Sequence, residues 1–83
     1  MELKLDNAAK TIEYTVGKHG AGMNNPYGVV LATWPKGGSD DEQEYITWGW
    51  CMMPNGKVSC FNGEYCDTYP EAKDAYRKRA NRI

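Results

Sequence analysis

One histidine, three cysteines and a cluster of four carboxylates are the side chains of this 83-residue chain best suited to chemistry. Cys51, Cys60 and Cys66 stand at C-x8-C-x5-C, His19 lies far upstream, and Asp40, Asp41, Glu42 and Glu44 are close neighbours. Structural zinc takes four thiolate or imidazole ligands in a tetrahedron. A nucleophilic thiol needs a base and an orienting group beside it. Paired carboxylates do acid–base work only where their surroundings separate their pKa values. Neighbours in the hydrophilic run KGGSDDEQ and just after it are expected to be ionised together in water, and their spacing is not that of a calcium-binding loop. His19 sits in GKHGAG, which lacks the Gly-Lys-Ser/Thr ending of a phosphate loop and the following helix of a dinucleotide fingerprint. Flexible connection accounts for that stretch better.

The cysteine spacing resembles the first three ligands of the CCCH zinc finger. That family places a His four residues after the third Cys, and here Pro70 stands there. Its zinc segment is mostly loop, whereas residues 44–66 alternate in large apolar side chains. Thiols that are buried or at a sheet edge are therefore expected. No metal, cofactor or catalytic set is assigned, and the chain is expected not to be an enzyme.

The elements that position these side chains are mostly strands. Residues 11–16 alternate, with Ile12, Tyr14 and Val16 predicted on one face and Thr11, Glu13 and Thr15 on the other. A helical reading through Leu5, Ala8, Ile12 and Val16 competes, and the β-branched residues weigh against it. Residues 2–5 also alternate and suit a short strand before the DNAAK turn. Residues 27–34, YGVVLATW, form the nearly continuous apolar run of a central strand, ended by Pro35.

Residues 44–66 read as a hairpin. A two-residue turn at Asn55-Gly56 would set Cys51 opposite Cys60, but would leave Pro54 at a hydrogen-bonding position without a donor. A type I turn centred on Pro54 and Asn55, with Gly56 left-handed, suits every residue. It pairs Met53 with Lys57, Met52 with Val58 and Trp50 with Cys60. One face is then Ile46, Trp48, Trp50, Met52, Val58 and Cys60. The other is Tyr45, Thr47, Cys51, Met53, Ser59 and Phe61. Asn62-Gly63 marks a further turn or bulge.

Thr68 to Glu71 fits a capping box with Pro70 in the first turn. Tyr69, Ala72, Tyr76, Ala80 and Ile83 follow as a narrow apolar stripe. Strands first and a helix last predict an α+β domain: an antiparallel sheet of about four strands with one C-terminal helix packed on one face. The face of Trp48, Trp50 and Val58 is expected beneath that helix, leaving Tyr45, Met53 and Phe61 on the open side.

Eighty-three residues make a single domain, 1–83, whose thin core three Trp, six Tyr and one Phe must largely supply. The net charge of −1 gives no global field toward nucleic acid or an anionic membrane. Residues 68–83 nevertheless carry five basic side chains against two acidic ones. The chain's start lacks the apolar core of a secretory leader, and no run reaches the roughly 18 apolar residues of a membrane span. An odd cysteine count argues against a complete disulfide framework. A reducing cytoplasm is the expected location.

Binding is what remains. Tyr45, Met53 and Phe61 are of types that can supply an interface core. Asp40, Asp41, Glu42 and Glu44, with Arg77, Lys78, Arg79 and Arg82, would supply opposite charges for steering. A non-enzymatic protein-binding module is the first expectation. The alternative is a small nucleic-acid-binding module using the basic helix and the sheet aromatics, although the RRM signature is absent. In length, Trp and Tyr content and the Ala/Tyr/Arg helix at residues 68–83, the chain resembles small phage or mobile-element proteins, of which the anti-CRISPR proteins are the best known. The resemblance implies a cytoplasmic inhibitor that occludes a host nuclease or surveillance complex without catalysis. It assigns no individual residue, and the chain lacks the strong acidity of the DNA-mimicking members.

Overall fold

Val29, Val30, Leu31 and Ala32 are all buried, so strand β2 (Tyr27–Pro35) is covered on both faces, as its apolar run requires. The structure, a computed structural model, describes residues 3–17, 26–38 and 42–82. β2 lies between β1 (Lys10–Val16) and β3 (Gln43–Met52), and β4 (Val58–Cys66) pairs with the far side of β3. All three pairings are antiparallel, and one helix, α1 (Tyr69–Ala80), packs on the sheet. This is the α+β architecture that the order of elements predicts.

The β3–β4 hairpin adopts the register that suits Pro54. The Met53 N–H donates to the Lys57 carbonyl at 2.8 Å, and the Gly56 N–H donates to the Met53 carbonyl at 2.9 Å. Gly56 has a φ of +86°, the left-handed region that glycine enters without a steric penalty. Met52 therefore faces Val58, and Trp50 faces Cys60. Farther along, Asn62 at φ +52° and Gly63 together oppose Trp48, making a bulge. That extra residue turns Tyr65 onto the face of Ile46 and Trp48, and Cys66 onto the face of Tyr45.

Strand β1 departs from the strict alternation expected of it. Thr11 opposes Ala32 and Glu13 opposes Leu31, so Ile12 is a bulged extra residue. Ile12 is consequently 38% exposed, while Thr11 Oγ1 donates to the Leu3 carbonyl at 2.7 Å. Val16 is exposed as well. Only Tyr14 keeps the expected inward place, edge-on to Trp50 with ring centroids 6.1 Å apart.

The larger correction concerns what covers the tryptophans. Trp48, Trp50 and Val58 do look inward, but not beneath the helix. That face, which also carries Val30, Ala32 and Ile46, is covered by Leu3, Leu5 and Ala9. The helix covers the opposite face, where Ala72 and Tyr76 pack on Val29 and Leu31, flanked by Tyr45, Cys66 and Ala80. The N-terminal segment can serve as a cover because its backbone is pinned: Leu5 bridges Val58, and the Asp6 N–H donates to the Val58 carbonyl at 3.1 Å. A stripe with Ala72 buried and Ala80 half-buried suits the face of Val29 and Leu31, because small residues let the helix backbone approach closely.

Thr68 caps the helix as the sequence predicts, with the Glu71 carboxylate bonded to its hydroxyl in place of its backbone N–H. Thr68 Oγ1 accepts from the Glu71 N–H at 3.5 Å and donates to the Glu71 carboxylate at 3.0 Å. The helix is then tied to β1 by a hydrogen bond between Tyr76 and Thr15 hydroxyls and an ion pair of Lys73 with Glu13. Ile83, predicted to end the apolar stripe, lies outside the described residues.

Candidate functional site

The helix leaves uncovered the end of its sheet face where β2 begins and β3 ends. Gly49 opposes Phe61 there, and the ring of Phe61 folds onto the bare glycine backbone. A Cβ at position 49 would stand 2.6 Å from Cε2 of that ring. The Tyr27 ring lies on Gly17 in the same manner, also at 2.6 Å from a Cβ placed there. Aromatic rings laid over strand glycines restore apolar contact that glycine cannot make itself. Gly28, Val29, Arg79 and Arg82 complete the lining together with Gly49, which the Phe61 ring covers. The result is a largely apolar groove of about 270 Å³.

The two arginines differ in freedom. Arg79 Nη1 donates to the Thr47 carbonyl at 2.9 Å and to the Asn62 carbonyl at 2.7 Å, tying the helix end to both strands at the bulge. Its guanidinium is therefore held in place. Arg82 is exposed and has no carboxylate partner among the described residues. Beneath the helix, Thr47 Oγ1 is buried and has no hydrogen-bond partner among the described residues.

The residues singled out from sequence fall in several places. Phe61 forms a groove wall and is 47% exposed. Met53 projects from the hairpin turn at 44% exposure, its sulfur 4.0 Å from that of Cys51. Tyr45 is not on an open face, contrary to expectation. It lies under the first turn of α1, edge-on to Tyr69 with centroids 5.8 Å apart. Arg77 is exposed, and Lys78 pairs with Asp74 one helical turn away at 3.1 Å. The basic cluster is thus divided, and among Arg77, Lys78, Arg79 and Arg82 only the last two reach the groove.

Asp40, Asp41 and His19 lie outside the described residues. Glu44 accepts a hydrogen bond from Trp34 Nε1 at 2.8 Å on the tryptophan face. Glu42 borders a polar hollow of about 450 Å³ with Lys36, Gln43, Tyr45 and Asp67. Asp67 accepts from Lys36 there at 2.9 Å, and that bond raises the lysine's pKa. The hollow carries both signs of charge.

The three thiols are free and do not converge on one face. Cys51 lies on the groove side of the sheet, opposite Ser59, while Cys60 opposes Trp50 on the other side. Burial pushes the Cys60 thiol up to about 11, with the Asp6 carboxylate adding to it. Burial likewise raises the Cys66 thiol.

Sequence reasoning missed Tyr27, Val29 and Gly49 as groove residues. One signal for Gly49 was available: the hairpin register puts it opposite Phe61, so a ring had to cover a glycine. Tyr27 depends on where β1 ends, and the loop composition at residues 17–26 does not fix that. No family model, curated protein or solved structure matches this chain.

Proposed function

We propose that this protein is a non-enzymatic protein-binding module that docks a partner on the open end of its helix-side sheet face. The observation that carries the reading is the Phe61 ring, held out over Gly49 as the wall of an apolar groove. Exposed aromatics beside arginine are the composition of interface hot spots. At about 270 Å³ the groove is smaller than the roughly 300–1,000 Å³ of small-molecule sites, so it suits a partner's side chain better than a whole substrate. Met53, exposed beside Cys51, extends the apolar surface. Its soft thioether adapts to varied shapes. Inhibition of a host complex by occlusion, in the manner of small phage proteins, is the narrower reading and rests on length and aromatic content. The nucleic-acid alternative has less support, because Arg79 is tied to two carbonyls and Lys78 to Asp74.

The test is capture of a partner in cells by a photo-crosslinking residue at Met53, compared across variants. Phe61→Asp is expected to lose the crosslinked protein. Ile12→Asp, an exposed apolar residue on the far edge, is expected to keep it. Capture should also survive added salt. Equal capture by the two variants, or a steep loss with salt of the kind phosphate contacts show, overturns the reading.

A further inference from the structure

We infer that the groove takes an acidic–aromatic segment of a partner protein, with a large apolar side chain between Phe61 and Tyr27 and a neighbouring carboxylate on Arg82. This inference rests on the binding-module reading and specifies its ligand. The argument begins with shape. The Phe61 ring already covers Gly49, so a partner's flat side chain would lie against that ring, in the space between it and Tyr27. The walls are aromatic, and rings pack well edge-to-face or offset against other rings. The volume, about 270 Å³, suits one such side chain with its neighbouring atoms.

Charge supplies the second half. Two arginines and, among the described residues, no acidic side chain line the groove. Complementarity therefore calls for an anion at the rim. A carboxylate matches the guanidinium fork, which can hold both its oxygens. Arg79 is already immobilised by the Thr47 and Asn62 carbonyls, so its charge is in position before a ligand arrives. Pre-positioning lowers the ordering cost of binding. Arg82, without an acidic partner among the described residues, is the group left to make the new pair.

A nucleic-acid strand could also offer rings and anions. It is the poorer fit, because a strand needs successive cations along its track, and this chain's net charge is −1. Lys78, the nearest further lysine in sequence, is paired with Asp74.

The test is an NMR titration of the full chain, read at the backbone amides of Gly28, Gly49 and Phe61. The probes are a terminally blocked heptapeptide with a central Phe-Asp-Asp, its Phe-Asn-Asn isostere, its Phe-Lys-Lys counterpart, and an oligothymidylate of equal length. The acidic peptide is expected to shift the groove amides and to bind about tenfold more tightly than its isostere. Arg82→Glu, an exposed substitution, should remove that preference or invert it toward the lysine peptide. Equal binding of the acidic and amide peptides overturns the inference, as does an absence of groove shifts with any peptide. Tighter binding of the oligothymidylate at the same amides also overturns it. Groove shifts without charge preference remove only the acidic requirement and leave the binding module standing. Shifts that persist unchanged in Phe61→Asp remove both.

Discussion

The ring of Phe61 rests on the backbone of Gly49 so closely that the smallest added side chain would meet it at 2.6 Å. Two effects oppose each other when alanine replaces that glycine. A strand interior gains about 0.5–1 kcal/mol from losing glycine's excess chain freedom. Overpacking costs about 1–3 kcal/mol where neighbours cannot move. Phe61 is half exposed and can lift away, so the overpacking cost falls at the low end. Gly49→Ala is therefore expected to change stability by less than about 1 kcal/mol while displacing the ring that walls the groove. Urea unfolding should give a near-normal midpoint, and the Phe61 ring resonances should move. A loss of several kcal/mol would mean the ring is fixed in place.

Leu5 tests the cover over the tryptophans. It is buried against the face that holds Trp48, Trp50 and Val58. Leu5→Ala should cost about 2–4 kcal/mol, a large share of the stability of a domain this small. Tryptophan emission should shift to the red as water reaches the indoles. A helix lying over those indoles would leave both readings nearly unchanged.

That cover was the part of the fold the sequence concealed. The hairpin register could be read from Pro54 and Gly56, because a missing donor and a left-handed φ leave one turn consistent with both. The helix start could be read from Thr68, Pro70 and Glu71. Which face each apolar stripe covers could not, because Leu3, Leu5, Ala72 and Tyr76 are all simply apolar. The choice follows from how bulky each sheet face is, and from backbone bonds between Asp6 and Val58 that are distant in the chain. The bulge at Ile12 was hidden for a related reason. Its alternation pattern is intact, and only pairing with β2 reveals the extra residue. The groove was half visible: Phe61 stood out by type and Arg82 by charge, but their meeting depends on where the helix ends over the sheet.

Thr47 carries a hydroxyl that is fully buried beneath the helix, with no hydrogen-bond partner among the described residues. Burying such a group unpaired costs about 1–3 kcal/mol. Thr47→Val keeps the branched shape and the β preference while removing the hydroxyl. It is expected to stabilise the protein by about 1 kcal/mol, seen as a higher urea midpoint at unchanged slope. Destabilisation would show that the hydroxyl is bonded, for example to an internal water.

Cys60 should make stability depend on pH in the alkaline range. Burial against the tryptophan face raises its thiol from 9.0 to about 11, and the nearby Asp6 and Cys51 add to the shift. The folded chain therefore holds this proton more tightly than the unfolded chain does. The associated stability is fully present below about pH 9 and is lost as pH rises toward 11. Other groups titrate in the same range, so the comparison is with Cys60→Ala, which lacks only this proton. Between about pH 8 and pH 10.5 the urea midpoint of the unsubstituted protein should fall more than that of the variant. Alkylation below pH 9 should also be slow at Cys60, since the thiolate is the reactive form. Equal pH profiles together with rapid alkylation would place the thiol in water and contradict its packing against Trp50.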